Sequence, residues 1–506
     1  MDTTPESQTA GSAPPGGGGG GDQQKKMSMI ALNDLTYILP ADLSVSVTRT
    51  HTNHYFQNNE YSNTQRGICI LNSGAHYGDM RLSSLEFGVS FPVRSGGAAD
   101  DNKVQGYFGK NGSAVNLIER ITISSRSGDE LVRINQLDLL SYMTTPFKYD
   151  ADWCGTVGQA AGYDGLVLPS SHKRATAFFS IPLYMLTDLF AYGRLLPPMI
   201  LSGLRIEIDW QTPDQAFLQY QSITSKSALS ATATKLPSYT IHNPYISMYA
   251  VQLTDGVQRA LNEMSAVNGL EIVYCDYEPT NVSLPELTET TTQLEVRKAA
   301  SRALKAFMVT RNTAKIESAI ADSYASTPWD YNAWQWQLGS LYFPQQPITA
   351  KALGSSGNSL DVNTVPQNII PESYKHTLIA FDRYKTDSKR SKCRMRENDD
   401  LLSYFEHLGV HDITTTPWAQ TADTALDVTA SNDGKFGTFS NGASVLGVLL
   451  ERSDLFNLSG VPINNSRVLS ARVNYKAATA VARTQTIFLK YVRLARVFLN
   501  NVEVEQ

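Results

Sequence analysis

The feature that most constrains the fold of this chain is a pattern that occurs near the end of each half. Residues 181–190 end in Asp-Leu-Phe and are followed by an alternating run at 204–210. Residues 448–456 end in the same tripeptide and are followed by a second such run at 469–475. The tripeptides lie 266 positions apart and the arginines of the two runs lie 267 positions apart. This spacing indicates one large unit used twice rather than a solenoid of short repeats.

Alternation of apolar and polar side chains recurs along the chain and predicts β structure. In residues 204–210 every second side chain is apolar and charged side chains lie between them, as in a half-buried antiparallel strand. Other segments interpreted as strands are 81–91, 117–123, 245–253, 270–277, 302–311, 334–343, 376–381 and 487–499. Clusters of Gly, Asn, Asp and Ser separate these segments at short intervals, which is typical of a β-sandwich or barrel.

The last of these segments carries charges that do not fit a single alternation. Lys490, Arg493 and Arg496 are the candidate outward positions, but residues three apart in a strand lie on opposite faces, so no single alternation places all three outside. We therefore expect the strand to bend or bulge in its middle. Short helices are expected only in connections, at 183–192 and at 399–407.

The length of 506 residues is too great for one hydrophobic core and predicts several parts. Residues 1–28 are polar and contain six consecutive glycines, so they are interpreted as a flexible Gly-rich N-terminal arm. The arm either orders against a neighbour in an assembly or is simply a disordered terminus. The first β domain is placed at 29–253, a linker helix at 254–269 and the second β domain at 270–506.

The linker helix is predicted from caps and a stripe of apolar residues. Asp255 can cap its start and Gly269 can end it. Val257, Leu261 and Met264 lie along one side, as in an amphipathic helix. A helix inside a single larger domain is the alternative interpretation.

Composition narrows the class of protein. Charged residues are 18% of the chain, below the usual level of about 25%, and the formal net charge is −5. A largely neutral surface suits burial against neighbours but also fits an ordinary β protein, and the net charge argues against broad electrostatic binding of nucleic acid. Four widely separated cysteines predict neither zinc, nor a redox motif, nor a disulfide scaffold, and they favour a reducing compartment. No apolar run is long enough to span a membrane.

The sequence shows no catalytic set, so no catalytic, cofactor-binding or metal site is predicted. Nucleophile elbow, P-loop, Rossmann and zinc-protease motifs do not occur. His51 with His54, and His407 with His411, are the only close histidine pairs. Gly409 interrupts the second pair and no further ligands complete either set.

Two further segments permit more than one interpretation. The basic run at 385–396 contains six positive charges and suits a nucleic-acid contact, a nuclear targeting signal, salt bridges to a neighbouring subunit or a solvated loop. The aromatic segment at 334–348 suits a sugar or base platform, but the alternation of Trp334, Trp336 and Leu338 favours a core strand. Gly339 and Pro344 are then expected to mark where that strand bends and ends.

Three segments carry a resemblance to a known family. The first combines Phe-Ser-Ile-Pro-Leu-Tyr-Met-Leu-Thr-Asp-Leu-Phe at 179–190, Leu-Leu-Pro-Pro at 195–198 and Ile-Glu-Ile at 206–208. The second is Leu-Gly-Ser-Leu-Tyr-Phe-Pro-Gln-Gln-Pro at 338–347, and the third is Tyr-Val-Arg-Leu-Ala-Arg-Val-Phe-Leu-Asn-Asn-Val-Glu at 491–503. In this order and spacing, the chain from about residue 178 onward resembles the double jelly-roll major capsid proteins of polinton-like viruses and virophages. The first 170 residues share with this family only the general pattern of short strands separated by turns.

The resemblance implies an all-β fold of two tandem antiparallel eight-stranded jelly-roll sandwiches with short connecting helices. It implies a structural, non-enzymatic protein without cofactors, which forms pseudo-hexameric homotrimers that tile an icosahedral shell around double-stranded DNA. The implied partners are further copies of the chain, neighbouring trimers, a vertex penton protein and minor capsid or cement proteins, with at most weak contact with DNA. The implied location is the virion, after assembly in the infected host cell.

Two other classes of protein remain open at this point. A tandem jelly-roll glycan-binding protein would need a surface aromatic residue beside carboxylates, or acidic calcium loops. Asp100 with Asp101 and Asp399 with Asp400 are close pairs, but the spacing of a calcium loop is missing. A β-sandwich enzyme would need a metal cluster or two facing carboxylates.

Overall fold

A computed structural model describes two similar halves of the chain. The description covers residues 46–91, 105–108, 112–163, 176–191, 193–222, 227–228, 238–267, 269–285, 291–313, 316, 324, 331–349, 371–381, 384, 445–450, 460–464, 466–475, 482–498 and 502–505. The predicted N-terminal arm, the basic run at 385–396, the expected helix at 399–407, the pair His407 and His411, and the second Asp-Leu-Phe tripeptide all lie outside these residues.

Strands make up most of the described chain. Those of the first half are β1 (Ser46–Tyr55), β2 (Glu60–Ser62), β3 (Arg66–Ile70), β4 (Tyr77–Ser90), β5 (Gln105–Tyr107), β6 (Ile118–Ser124), β7 (Glu130–Asn135), β8 (Ala177–Pro182), β9 (Arg205–Trp210), β10 (Leu218–Ser222), β11 (Ser227–Ala228) and β12 (Thr240–Leu253). Those of the second half are β13 (Leu270–Leu284), β14 (Thr291–Glu295), β15 (Ala300–Asn312), β16 (Tyr331–Leu338), β17 (Leu341–Thr349), β18 (Leu446–Leu449), β19 (Val461–Ile463), β20 (Leu469–Tyr475), β21 (Arg483–Val497) and β22 (Val502–Glu505).

The described helices are short and lie in the connections. They are Ala114–Leu117 (a 3₁₀ helix), Leu137–Lys148, Ala151–Gly155, Val157–Ala160, Leu183–Leu186, Pro198–Leu201, Pro213–Ala216, Asp255–Val267 and Pro371–Ala380. No helix among the described residues has the length and apolar character needed to cross a membrane.

The two halves share one strand topology. The first half has a sheet of order β1-β12-β4-β8 and a sheet of order β3-β9-β6-β7. The second half has the matching sheets β13-β21-β15-β18 and β14-β20-β16-β17. In chain order, the eight shared strands of each half are arranged 1-8-3-6 in one sheet and 2-7-4-5 in the other, and all the pairings are antiparallel. This is the two-sheet arrangement of a jelly roll, so we name the halves roll 1 and roll 2 and call these their first and second sheets.

The duplicated sequence pattern corresponds to equivalent strands. The run at 204–210 contains β9 and the run at 469–475 is β20, and each strand is second in the second sheet of its roll. In β9 the apolar side chains are buried while Arg205 is exposed, and β20 repeats this alternation with Arg472 exposed. The prediction of two half-buried antiparallel strands is therefore confirmed.

Each roll is filled by the inward side chains of its two sheets. The core of roll 2 contains Trp334 and Trp336, which are 2% and 1% exposed. The core of roll 1 contains Trp210, and it continues without a break into residues of roll 2 such as Tyr274 and Phe488. Since a fully buried large apolar side chain contributes about 1.5–3 kcal/mol, the shared cluster stabilises the contact between the rolls as well as roll 1 itself.

Three predictions for roll 2 are wrong in part. The segment at 376–381 is mostly helix rather than strand, because Pro371–Ala380 packs on β18 and the Thr377 hydroxyl donates to the Val445 carbonyl at 2.6 Å. The segment at 334–343 is a hairpin of β16 and β17, with Gly339 in the turn at φ +59° and Pro344 inside the edge strand β17. An edge strand accepts proline because its outer N–H needs no partner in the sheet.

The third correction concerns β21. This strand pairs with β13 over all fifteen residues without a register shift. The irregularity lies instead in its other neighbour, β15, between Ala303 and Lys305. Lys490 and Arg493, which the pattern placed on the outside, are both largely buried.

The helix between the rolls, Asp255–Val267, agrees with the sequence except at two residues. Val257 and Leu261 pack against the first sheet of roll 1, and Gly269 follows the helix at φ +70°. Asp255 lies in the first helical turn rather than before it. Met264 is 56% exposed, so it does not extend the apolar stripe.

Candidate functional site

Among the described residues, the contact between roll 1 and roll 2 holds the largest concentration of buried charge. The first sheet of roll 2 forms one side of this contact with both of its faces. Tyr277 and Lys490 lie on the outer face, and Tyr274 and Arg493 lie on the face that also carries the core residue Tyr491. On the other side are β7, the helix Leu137–Lys148 and the turn after the helix Leu183–Leu186, all from roll 1. Because the contact fixes how the two rolls stand relative to each other, it is the candidate functional site.

A buried ion pair joins roll 2 to the edge strand of roll 1. Nη1 of Arg493 lies 2.9 Å from Oδ2 of Asp276, and the two side chains are 4% and 1% exposed. Nη2 of Arg493 donates to the carbonyl of Glu130 at 2.9 Å, and the Tyr274 hydroxyl donates to the carbonyl of Leu131 at 2.5 Å. These two carbonyls begin β7, so side chains of roll 2 satisfy backbone acceptors at the edge of a roll 1 sheet.

Burial governs the ionisation of this pair. Desolvation raises the pKa of Asp276 to about 6, although Arg493 and the backbone N–H of Tyr277 act in the opposite direction. Arg493 keeps its charge. Burial lowers the pKa of its guanidinium, but Tyr274 and Asp276 raise this pKa by more. At neutral pH the contact therefore holds an ionised pair in an apolar surrounding.

A second charged cluster lies around Asp188 of roll 1. Nζ of Lys490 from roll 2 lies 2.5 Å from Oδ2 of this residue, and Nζ of Lys148 lies 3.6 Å from Oδ1. Burial tends to raise the pKa of Asp188, but the lysines outweigh it and hold the pKa at about 2. Burial, and then the charge of Lys490, lowers the pKa of the nearby Lys305 to about 7. One carboxylate therefore holds basic side chains of both rolls together.

Aromatic rings fill the space beside these charges. Phe147 of roll 1 stacks on Phe381 at 4.7 Å with an interplanar angle of 9°. Phe381 also contacts Phe307, which stacks on Phe488 at 5.3 Å. Lys305 places its ammonium group 4.5 Å from the centre of the Phe381 ring. Stacked rings and cation–π pairs have preferred geometries, so these contacts favour one relative orientation of the rolls in addition to burying apolar surface.

A third polar contact joins roll 2 to the helix Leu137–Lys148 of roll 1. The Tyr324 hydroxyl donates to Oδ2 of Asp138 at 2.9 Å, and the Gln211 amide donates to the same oxygen at 2.8 Å. The rings of Tyr324 and Tyr142 lie 5.1 Å apart. Directional hydrogen bonds at three separate places resist sliding between the rolls, because a shift would leave buried polar groups without partners.

The histidine pair that the sequence singled out is not brought together as a site. His51 and His54 lie in the same strand three residues apart, so their side chains point to opposite faces of the sheet. Nε2 of His51 lies 2.6 Å from the Ser247 hydroxyl, whereas His54 is half-buried and contacts Thr52. Over the part of the chain that the structure describes, no group of three or more His, Cys, Asp or Glu residues is arranged to hold a metal ion.

The described cysteines, Cys69, Cys154 and Cys275, are not joined in disulfides. Burial raises the pKa of Cys69 to about 12, which leaves little thiolate at neutral pH. In the aromatic segment Trp334, Trp336 and Leu338 are buried in the core, as their alternation predicted, whereas Leu341 and Tyr342 are 44% and 40% exposed.

Sequence reasoning missed the contact between the rolls. The one available signal was the presence of Lys490 and Arg493 in the largely apolar run at 487–499, and both were interpreted as outward positions. The partners of these charges, Asp188 and the Glu130 carbonyl, are more than 300 positions away in the chain. No local pattern reports a contact of that kind.

No protein-family model and no curated protein sequence matches the chain. Solved structures match it over nearly its whole length. A chain of the Sputnik virophage structure is 9% identical with a TM-score of 0.53, and the match covers 92% of this chain and 90% of that one. The Faustovirus major capsid protein is 8% identical with a TM-score of 0.53, over 94% and 98% of the two chains. VP54 of PBCV-1, fitted into a Sputnik reconstruction, is 9% identical with a TM-score of 0.52, over 93% and 99%.

These likenesses define the class of fold. Two jelly rolls of identical strand order stand in one chain, and the match to viral capsid structures runs through both of them. The chain therefore has the double jelly-roll fold found in viral major capsid proteins, as the three sequence segments predicted.

Proposed function

We propose that this chain is a viral major capsid protein whose role is structural rather than enzymatic. The observation that carries the proposal is the match to capsid structures through both rolls at once, including the major capsid protein of Faustovirus. Function does not follow from fold alone, so the proposal also rests on what the molecule offers chemically. The described residues form two similar lobes that are joined by buried ion pairs, and they contain no cluster of metal ligands.

The proposed mechanism is self-assembly. Two similar rolls held in a fixed orientation give one chain two similar lobes, so three chains in a ring present six similar lateral edges. Such a homotrimer is pseudo-hexameric and packs in a hexagonal net, which suits the facets of an icosahedral shell around double-stranded DNA. The buried contacts at Asp276 and Asp188 support this mechanism because they keep the two lobes from rotating within the net.

Domain limits and partners complete the proposal. We assign the arm to 1–28, the first jelly roll to 29–253, the linker helix to 254–269 and the second jelly roll to 270–506. The partners are other copies within the trimer, neighbouring trimers, a vertex penton protein and minor capsid or cement proteins. With a net charge of −5, at most weak contact with the packaged DNA is expected. The location that follows is the capsid of a virion assembled inside the infected host cell.

Electron microscopy of the purified full-length protein tests this proposal. Class averages are expected to show three-fold particles with six lobes of two alternating kinds, and shells or sheets of such particles at high protein concentration. Two-lobed single particles at every concentration would contradict the capsid function.

A further inference from the structure

A serine, a histidine and a glutamate contact one another in series on three neighbouring strands of roll 1. The Ser90 hydroxyl lies 2.6 Å from Nε2 of His242, and Nδ1 of the same ring lies 3.2 Å from Oε1 of Glu60. Ser90 ends β4, His242 lies near the start of β12, and Glu60 begins β2. The series hydroxyl, imidazole and carboxylate is the arrangement that activates a serine nucleophile, and geometry rather than order in the chain identifies it.

The register of the strands places these three side chains on one face of the sheet. His242 is directly opposite Glu60 on β2 and directly opposite Gly88 on β4. Ser90 is two residues beyond Gly88 on the same strand, so it projects from the same face. The arrangement therefore depends on backbone pairing rather than on the conformation of a loop.

The contact with Glu60 assigns the roles of the two ring nitrogens. An ionised carboxylate only accepts hydrogen bonds, so Nδ1 of the neutral His242 ring carries the proton and donates to Glu60. Nε2 is then the acceptor for the Ser90 hydroxyl and is placed to take its proton. The His242 side chain is 26% exposed, so a reagent in solution can reach the pair.

The backbone directly after His242 is irregular. Asn243 has a φ of +45°, in the left-handed region that residues other than glycine seldom adopt, and its N–H donates to the Asn59 carbonyl at 2.6 Å. The pairing of β12 with β4 shifts register between His242 and Tyr245. Bulges and left-handed residues of this kind are frequent beside functional sites, where they redirect a side chain.

An exposed aromatic ring lies in the same row of the sheet. Phe178 on β8 is directly opposite Gly88, so one row across four strands contains Glu60, His242, Gly88 and Phe178. Phe178 is 77% exposed, and Gly88 places no side chain between its ring and His242. The ring therefore offers an apolar surface beside Ser90 for the acyl group of an ester.

A second serine–histidine pair in this sheet provides an internal control. Nε2 of His51 also lies 2.6 Å from a serine hydroxyl, that of Ser247. Among the residues that the structure describes, no carboxylate is hydrogen-bonded to His51. The second pair thus has the same two groups at the same distance but lacks the residue that would hold the imidazole.

We propose that Ser90 is a nucleophile that takes an acyl group from a carboxylic ester, with His242 as its base and Glu60 as the residue that positions the imidazole. The Ser90 oxygen forms a bond to the ester carbonyl carbon, and the bond from that carbon to the alcohol oxygen breaks. His242 takes the proton of the hydroxyl and passes it to the departing oxygen, so the products are an acylated serine and an alcohol. The inference concerns one acyl group per chain, so it adds a modification site to the proposed structural role and does not depend on that role.

Reaction of the full-length protein with p-nitrophenyl acetate tests the proposal. The release of p-nitrophenol is expected to show a burst of one equivalent per chain, and peptide mass spectrometry is expected to place an acetyl group on Ser90. Ser90→Ala should lose both the burst and this acetyl group. Ser247→Ala is the matched control and should keep both.

Kinetics separate the roles of the other two residues. His242→Ala is expected to lower the acylation rate constant by about 100-fold or more, the lower end of what a general base contributes, and added imidazole should restore part of the rate. Glu60→Gln should lower the rate constant at saturating ester by a smaller factor, since its side chain is 69% exposed. The half-saturating ester concentration should stay unchanged, because Glu60 does not touch the ester.

Far-UV circular dichroism and urea midpoints that match those of the unmodified chain establish that each variant folds. If His242→Ala does not fold, His242→Gln replaces it in the rate comparison. Acetylation confined to lysines, equal acetylation of Ser90 and Ser247, or a rate at Ser90 that is unchanged without His242 or Glu60 overturns the inference. None of these results bears on the capsid proposal, which the particles seen by electron microscopy decide.

Discussion

At the scale of single residues, the contact between the rolls depends on charged side chains that are buried away from water. Asp188 faces Lys490 and Lys148 in a place where burial alone would raise its pKa, yet its pKa stays near 2. The ionised carboxylate is therefore stabilised by its basic neighbours. Removing one member of such a buried group costs more than the contact itself contributes, because the remaining charge keeps its desolvation penalty.

Asp188→Asn is expected to destabilise the protein by about 3–5 kcal/mol, because Lys490 then stays buried without that carboxylate. The free energy of unfolding, measured in urea at pH 7 and one fixed protein concentration, checks this value. Glu271→Gln is the matched control, since Glu271 pairs with Arg496 at 3.3 Å on the exposed surface. This control is expected to change stability by less than about 0.5 kcal/mol. Equal effects of the two substitutions would contradict the role assigned to Asp188.

At the scale of elements, the sequence predicted those strands in which buried and exposed side chains alternate regularly. β9 and β20 alternate regularly, and Trp334 and Trp336 share a core face, so their structure follows from local pattern. The helix Pro371–Ala380 could not be predicted in this way. Its short mixed segment fits a strand or a helix equally well, and packing against β18 decides between them. The contact between the rolls could not be predicted either, because its partners are distant in the chain.

The packing of that helix on β18 leads to a prediction of its own. A Cβ atom at Gly447 would lie 2.8 Å from Cβ of Ala380, so Gly447→Ala forces the helix and the strand apart. We expect a loss of stability of about 1–3 kcal/mol, measured by thermal or urea unfolding. Gly256→Ala is the control, because a Cβ atom there meets nothing within 4 Å and the residue lies in a helix. The control should gain up to about 1 kcal/mol, and a loss in both variants would argue against helix packing as the cause.

At the scale of the whole molecule, the duplication explains why one chain carries two similar rolls with unequal surroundings. In roll 2 the outer side chains Phe307 and Phe488 are fully buried, whereas in roll 1 the outer side chain Tyr55 is 63% exposed. In the proposed three-fold ring, two lobes per chain give six lobes per assembly.

The molar mass of the purified full-length protein in solution tests this account most directly. Sedimentation equilibrium at low micromolar concentration is expected to give a single species of three times the 55.7 kDa chain mass. A species of one chain mass over the same concentration range, or an assembly of two chains, would contradict the account.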